Sequence, residues 1–559
     1  MPNMSKTIVS PVYPFHTTTS MPITWTIAGS DSGGGAGIQA DLKVMNQLQT
    51  HVCSIITAIT AQNTQQVLSY QSVSSDMITA QGEALLEDLF PKALKIGMIG
   101  DVPTLEAVIS ILKALKASRN EKPSPFIICD PVLIATSGDS LSDPSLAKAI
   151  REKLFPFVDL ITPNRHEAAV LLGETPNEGL SAETVVDYAS RLRTLGVPNV
   201  MIKGGSNTEK LASDYFSGST SFWIHSPTQN TRSTHGTGCT LSAAITAFIA
   251  HQETLEDAVV AAKAYINQGL SFAPILEQDS DKQTRSTGHG PLAHLAWPVD
   301  SITLNHETHG MSDAPITPAN LFPTVSISNI SQPNTCFAGL GPEPLGFYPV
   351  VPNVEWVERL VPLGVNTLQL RLKQSEKTSW DAIEAQVKRA VEITRNTTCR
   401  LFINDHWELA LQYGAYGVHL GHQDLPDADL EALKNAGLRL GISTHCYKEL
   451  ALALGHQPSY VAFGPVYATT TKTMTFSPQG LNKLRHWRSI TSPPLVAIGG
   501  IFLDENAEEV LNTGVDGLAV VRDITEHSDP ESQTLRWLDF MRGSGKNSDA
   551  LCTLPSLVL

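Results

Sequence analysis

The sequence predicts two α/β domains in series: a layered α/β/α domain with a mostly parallel sheet, then a compact (β/α)8 barrel. Three observations lead there. The chain has 559 residues, well beyond the length at which one hydrophobic core stops growing. Short β-branched runs alternate with amphipathic stretches in two separate regions, the pattern of strands joined by crossover helices. Between those regions, residues 298–345 are rich in Ser, Thr, Asn, Pro and Gly without sustained periodicity, and a run of that length reads as a flexible linker.

In the first region, 22–297, buried strands are expected at 24–30, 54–60, 93–99, 125–132, 160–164 and 200–205, with helices such as IQADLKVMNQL and PTLEAVISILKALK between them. Ligands of such sheets sit beyond the carboxyl ends of the strands, so residues just after each strand carry most weight. In the second region, 346–545, eight strands are expected at 346–351, 366–373, 400–405, 417–421, 439–444, 460–466, 494–500 and 517–523, each followed by an amphipathic stretch. That beat is the one a closed parallel barrel requires. Residues 1–21 read as an N-terminal extension without the apolar core of a signal peptide, and 546–559 as a tail.

Composition narrows the class. Hydrophobic residues make up 42% and charged residues 17% of the chain, ordinary for a globular protein. A formal net charge of -16 opposes a general nucleic-acid or membrane-surface partner. No apolar run approaches the roughly 18 residues needed to span a bilayer. The seven cysteines (Cys53, Cys129, Cys239, Cys336, Cys399, Cys446 and Cys552) form no CxxC pair and are odd in number. A disulfide framework or structural zinc site is therefore not expected, and a reducing cytoplasm is.

The first region carries three chemical motifs. AGSDSGGGAGIQADLK (28–43) places a glycine cluster between a strand and a helix, where backbone can approach a ligand closely; it is neither a Walker A loop nor GxGxxG. RSTHGTGCTLSAA (232–244) sets Gly236, Thr237, Gly238 and Cys239 before a small-residue helix, so that successive amides can form a nest for a phosphoryl group. Asp130 in CDPV and Glu167 in TPNRHEA follow neighbouring strands and can hold Mg2+. Lys203 in IKGG can reach phosphates.

These motifs, with TAITAQNT, KIGMIGD and the closing GHGP, resemble the ribokinase-like superfamily and within it the hydroxymethylpyrimidine/phosphomethylpyrimidine kinases. The resemblance covers nearly all of 24–297. It implies ATP as phosphoryl donor, Mg2+, and a pyrimidine pocket formed by Gly29, Asp31, Gln62, Met98 and Val132. Cys239 stands where sugar kinases of the superfamily place an aspartate. A thiol at a helix N-terminus can have a lowered pKa and accept the substrate hydroxyl proton, or it can simply pack the helix start. His166 and His235 flank the motifs and read as structural.

In the second region polar residues fall at strand ends: Gln369, Arg371 and Lys373 on one face, then Asn404 and Asp405, Asp424, Ser443 and His445, Thr469, Thr471 and Lys472, and finally Gly499 and Gly500. The cations and hydroxyls suit a diphosphate, and Asp405 with Asp424 can hold a bridging Mg2+. No nucleophile–base pair stands out, which points to catalysis by positioning and leaving-group stabilisation.

QLRLK, INDH, GVHLGHQDL, GISTHCYKE, GPVYATTTK and AIGGI resemble thiamin-phosphate synthase over roughly 346–525. The resemblance implies coupling of hydroxymethylpyrimidine diphosphate to a thiazole phosphate. Gln369, Leu370, Arg371, Leu372, Lys373, Asn404, Ser443, Thr469, Thr470, Thr471 and Lys472 would bind the pyrimidine diphosphate. Gly500, Val521 and Arg522 would bind the thiazole phosphate. Two departures stand out: Val521-Arg522 where the family usually shows Val-Ser, and His406 where it usually has arginine or lysine. The expected protein makes thiamin phosphate from small molecules alone, as a homo-oligomer without nucleic-acid or membrane partners. The alternatives are a kinase half acting mainly on pyridoxal-type rings, or one half serving as an inactive ligand-binding module.

Overall fold

A computed structural model describes residues 20–117, 123–133, 144–176, 181–207, 211–229, 231–274, 289–299, 317–327, 336–373, 379–469 and 477–544. The chain divides into two compact units, Met1–Ser331 and Gln332–Leu559.

The first unit runs β1 (Ile23–Ser30), α1 (Gly37–Gln47), β2 (His51–Gln62), β3 (Val67–Ser72), α2 (Ser75–Asp88), β4 (Ala93–Ile96), α3 (Val102–Ala117), β5 (Phe126–Cys129), α4 (Pro144–Ala149), β6 (Leu160–Ile161), α5 (Arg165–Leu172), α6 (Ala182–Thr194) and β7 (Asn199–Asn207). It continues with β8 (Leu211–Ser217), β9 (Ser221–Pro227), α7 (Thr237–Ala250), α8 (Leu255–Ser271), α9 (Pro318–Leu321) and β10 (Thr324–Ser326). One ten-stranded sheet has the order β10-β9-β8-β7-β6-β5-β4-β1-β2-β3. The six central strands from β7 to β2 are parallel, and β3, β8, β9 and β10 flank them antiparallel. This is a ribokinase-like mixed-sheet domain. The parallel strands are short apolar runs because helices cover both faces.

Local sequence sets the helix ends. Ser74, Ser181 and Thr254 accept hydrogen bonds from Met77, Thr184 and Asp257 amides, and Asn164 with Glu167 forms a full capping box on α5, each replacing a lost intrahelical partner. Helix α7 is rich in small residues and packs against α1, α8 and the central strands, burying Leu241, Ile245 and Phe248 among them. Beneath it the core encloses an ion pair: Lys95 Nζ on β4 lies 2.5 Å from Asp41 Oδ1 on α1, and both are fully buried. Thr26 donates to the second Asp41 oxygen at 2.6 Å, so the pair is satisfied on both sides.

The second unit runs β11 (Gly346–Val351), α10 (Val354–Leu360), β12 (Thr367–Leu370), α11 (Trp380–Thr394), β13 (Arg400–Asn404), α12 (Trp407–Tyr413), β14 (Gly417–Leu420), α13 (Leu430–Asn435), β15 (Arg439–Thr444) and α14 (Tyr447–Gly455). Next come β16 (Tyr460–Phe463), α15 (Gly480–Ile490), β17 (Leu495–Ile498), α16 (Ala507–Leu511), β18 (Gly517–Val520), α17 (Arg522–Thr525) and α18 (Pro530–Ser544). Its eight strands close into a parallel barrel, β18 pairing with β11, so the fold is a TIM barrel. Tyr348, Phe402 and Tyr460 fill the barrel interior. Gly441 is required there, because a Cβ at that position would stand 2.1 Å from the Tyr460 ring.

The region expected to be a linker differs where it is described. Residues 317–327 add α9 and β10 to the first unit, β10 pairing antiparallel with β9 and Ser326 Oγ meeting His225 Nε2 at 2.7 Å. Residues 336–345 lie on the barrel: Arg400 donates to the Glu343 and Pro344 carbonyls at 2.9 and 2.6 Å, and Ser459 to Ala338 O at 2.7 Å. A three-residue strand in a Ser/Thr-rich context is too short to show period-two alternation. Among the described residues no helix is long and apolar enough to cross a membrane.

Candidate active sites

In the first unit the glycine loop is ordered by Asp31. Its Oδ1 accepts the Gly33 amide at 2.8 Å, and its Oδ2 accepts the Gly35 and Ala36 amides at 3.0 and 2.8 Å. His235 Nε2 lies 3.0 Å from the same Oδ2, and Gln62 Nε2 lies 3.3 Å from that nitrogen. Burial works against the ionised carboxyl, but the His235 contact and the loop amides prevail and hold Asp31 below the usual range. His235, read as structural from the sequence, thus joins the two expected pyrimidine residues Asp31 and Gln62; His166 is exposed. Nearby, a Cβ on Gly29 would stand 3.2 Å from Met98 Sδ, and Met98 packs with Ala58 beside Val67 and Val132. Gly29, Met98 and Val132 therefore come together around one apolar patch at the strand ends.

The glycine turn before α7 meets the first loop. Gly236 has φ of 82° and no room for a side chain, since its Cβ would fall 1.9 Å from Gly35 O. A Cβ on Gly238 would stand 2.9 Å from Lys203 Nζ and 3.4 Å from Asp130 Oδ2, so the nest, the lysine and the carboxylate surround one point. Lys203 Nζ is 2.6 Å from Asp130 Oδ1 and 4.0 Å from Glu167 Oε2. Thr162 and Ser242, which sequence reasoning missed, also reach Asp130, at 3.2 and 3.4 Å. Asp130 stays below the carboxylate range, Lys203 and Lys95 outweighing its burial. Burial pushes Glu167 up to about 7 against the pull of Lys203. One Glu167 oxygen is also committed to capping, accepting the Asn164 amide at 2.7 Å.

Cys239 departs from expectation. Burial pushes its thiol above the ordinary value, with Lys95 offsetting only part of the rise, so the low-pKa thiol expected at a helix N-terminus is not what this site provides. Desolvation outweighs the pull of Lys95 and of the Gly37 amide.

In the barrel, a cavity of 420 Å³ opens at the carboxyl ends of the strands, within the range of small-molecule sites. Gln369, Arg371, Asn404, Asp405, Asp424, Ser443, Thr469, Gly500, Val521 and Arg522 all line it. Leu370 and Leu372 are buried and Lys373 is exposed; none of the three lines the cavity. Thr470, Thr471 and Lys472 lie outside the described residues.

The polar groups are fixed from behind. Gln369 Nε2 donates to Asn404 Oδ1 at 2.6 Å. A hydrogen-bonded row runs from Tyr348 through Tyr460 and His419 to Ser443, each step 2.8 Å. Burial and then Arg371 push His419 down to about 4, so a neutral imidazole holds the Ser443 hydroxyl. Asp424 Oδ2 accepts the Gly421 amide at 3.1 Å. Asp405 has φ of 63°, a left-handed conformation uncommon for a residue with a side chain and typical of strain kept for function. Gly499 and Gly500 also have positive φ, and a Cβ on Gly500 would stand 2.7 Å from Tyr467 Cβ. Arg522 begins the short α17 after the last strand, over the Phe502 ring. The departure at His406 is structural: the ring is buried and packs edge-on against Trp380. Sequence reasoning missed His419 because GVHLG reads as a plain buried strand.

Fold and sites define a ribokinase-like kinase followed by a barrel transferase. The family model for phosphomethylpyrimidine kinase matches residues 31–284, and that for thiamine monophosphate synthase matches 348–524. The chain is 31% identical over 519 residues to the chloroplastic thiamine biosynthetic bifunctional enzyme TH1 of Arabidopsis thaliana, covering 90% of this chain and 89% of that one. It is 50% identical over 202 residues to the thiamine-phosphate synthase of Enterobacter, covering 36% of this chain and 93% of that one. A solved phosphomethylpyrimidine kinase from Clostridium difficile is 34% identical, with a TM-score of 0.38, covering 44% of this chain and 97% of that one. The chain belongs to the family of bifunctional thiamine biosynthetic enzymes, joining a pyrimidine kinase to a thiamine-phosphate synthase.

Proposed function

We propose that the first unit phosphorylates 4-amino-5-hydroxymethyl-2-methylpyrimidine twice from ATP, and that the barrel couples the resulting diphosphate to a thiazole phosphate, releasing diphosphate. The observation that carries this reading is the convergence of Gln369, Arg371, Asn404, Asp405, Asp424 and Ser443 on one cavity. It joins two amides, a cation, a hydroxyl and two carboxylates at the face where barrel enzymes keep their chemistry.

In the kinase, the Gly29–Met98–Val132 patch takes the apolar side of the ring and Gln62 its polar edge. The amides of Gly236 to Cys239 and Lys203 receive the transferred phosphoryl group. Cys239 takes the substrate hydroxyl proton, or packs beside it with the proton leaving to solvent. Asp130 and Glu167 would hold Mg2+. The fit is electrostatic: a carboxyl held at about 7 by burial beside an ionised one marks a site short of positive charge. In the barrel Asp405 and Asp424, facing one cavity beside Arg371, would hold Mg2+, which when bound neutralises the leaving diphosphate. Arg371 pairs with its oxygens, Gln369 with Asn404 orients the pyrimidine, and Ser443 is held by neutral His419. The turn at Gly500 and residues 521–522 stand where barrels bind phosphate, after strands seven and eight beside a short extra helix. Arg522 adds a guanidinium there for the thiazole phosphate. The free cysteines among the described residues favour a reducing compartment such as the cytoplasm.

Feeding hydroxymethylpyrimidine, ATP, Mg2+ and thiazole phosphate to the whole protein tests the reading. Thiamin phosphate should accumulate, with pyrimidine monophosphate and diphosphate as intermediates. Product formed only from supplied pyrimidine diphosphate, or faster turnover of pyridoxal than of the pyrimidine, would overturn the kinase assignment.

A further inference from the structure

Two histidines at the wall of the barrel cavity, with a glutamate behind them, have been given no part in the coupling reaction. His422 follows β14, His445 follows β15, and Glu449 sits in the first turn of α14. His422 Nδ1 lies 3.2 Å from Glu449 Oε1, and His445 Nδ1 lies 2.8 Å from Glu449 Oε2. One donor atom from each residue falls within 4.8 Å of the other two. Ligand atoms around a tetrahedral zinc ion, at bond lengths of about 2.0–2.1 Å, stand about 3.3 Å apart. Both imidazoles already meet the carboxylate at about that distance, and drawing all three ligand atoms in from within 4.8 Å asks only a small side-chain adjustment.

The surroundings favour a built site. Glu449 is 8% exposed, and its Oε2 is pinned by the His445 backbone amide at 2.9 Å, so the carboxylate cannot swing to solvent. Both imidazoles line the cavity, whose open side leaves room for a water as a further ligand, the arrangement of three-ligand zinc sites. Two imidazoles and one carboxylate suit zinc-like ions. Mg2+ takes oxygen ligands in near-octahedral geometry, and Asp405 and Asp424 supply those instead.

We propose that His422, His445 and Glu449 bind a divalent transition-metal ion of the zinc class at the wall of the synthase cavity, separate from the Asp405–Asp424 pair. Such an ion joins the loop carrying Asp424 to the start of α14, tying together the ends of two neighbouring barrel strands. The site stands on these three side chains and is independent of the substrates assigned above.

Co2+ is the probe, titrated into metal-stripped full-length protein in excess Mg2+. One equivalent should give the visible d–d absorption of a low-coordinate nitrogen and oxygen site, and Zn2+ but not further Mg2+ should abolish it. His422→Ala and Glu449→Gln should each weaken binding by more than about 10-fold. Glutamine keeps an acceptor for the His445 amide, so the helix start survives that substitution. Absence of the band, unchanged affinity in both variants, or a strong near-ultraviolet thiolate-to-cobalt band placing the ion on a cysteine would each overturn the site.

Discussion

Lys203 Nζ stands 2.6 Å from Asp130 Oδ1 and 4.0 Å from Glu167 Oε2. The cation proposed to meet phosphate is therefore already paired with the carboxylate proposed to meet metal. Lys203 is partly accessible and Asp130 almost fully buried, so the lysine is the partner free to turn toward an incoming anion. Releasing it leaves Asp130 and Glu167 with only the more distant charge of Lys95 to offset them, and ATP would arrive with its own cation. Lys203→Met should lower kinase kcat/KM by about 10²-fold or more, the scale of losing one transition-state donor. Coupling of supplied pyrimidine diphosphate should be unchanged. A kinase within about threefold of the parent, a difference below 1 kcal/mol, would reduce Lys203 to a structural counter-ion.

Cys239 gives a test based on pH. Burial raises the thiol above its ordinary value, against Lys95, so a thiolate base would be scarce near neutrality and kinase kcat would climb with pH toward the thiol's pKa. Cys239→Ala should then lower kcat by about 10²-fold and flatten that climb. A variant with normal turnover and the parent's pH profile would make Cys239 a packing residue.

Much of this architecture can be read from the residues. The strands of the parallel core and barrel are apolar, regularly spaced and followed by amphipathic stretches, because each is buried by the helix it leads to. The antiparallel β8, β9 and β10 are harder to read: LASDYFS and SFWIHSP mix polar and aromatic residues, and TVS is too short to carry a pattern. At the sites, residue type and strand-end position bring out Asp130, Glu167, Lys203, Arg371, Asp405 and Asp424. His235, Thr162, Ser242 and His419 are not legible in that way, because each acts on another side chain far off in sequence. His235 reaches Asp31 across 204 residues, and His419 reaches Ser443 across 24. The same distance dependence hides the Lys95–Asp41 pair, which looks in sequence like two unrelated polar residues in apolar elements.

Asp405 combines a carboxylate with a left-handed backbone, φ 63°, and two substitutions separate the roles. Asp405→Ala and Asp424→Ala should each raise the Mg2+ concentration needed for coupling and lower the rate by about 10²-fold. Asp405→Gly removes the same carboxylate but relieves the backbone, so it should lose coupling while melting no lower than Asp405→Ala, with up to about 1 kcal/mol in its favour. Unchanged Mg2+ dependence in both alanine variants would refute the metal assignment. A glycine variant less stable than the alanine one would refute the strain.

The last prediction concerns acid. Burial, then Arg371, pushes His419 down to about 4, and burial, then Lys483, pushes His486 down to about 3, from an ordinary value of 6.5. Both rings are enclosed in the barrel, His486 completely, with its Nε2 2.9 Å from the Tyr447 hydroxyl. Below pH 6.5 the unfolded chain takes up protons that the folded barrel refuses. Stability is therefore fully present above 6.5 and is lost as pH falls toward the folded values. Each imidazole should cost about 2 kcal/mol by about pH 5, equivalent to about 4–8 °C in melting temperature for a unit of this size. Calorimetry of the whole protein at neutral pH and about pH 5 reads this directly. The transition whose pH dependence shrinks in His486→Gln is the barrel's, since glutamine keeps a polar partner for Tyr447 but has nothing to titrate. A barrel transition that melts at the same temperature at both pH values, or that falls as steeply in His486→Gln as in the parent, would mean that these imidazoles accept protons in the folded state.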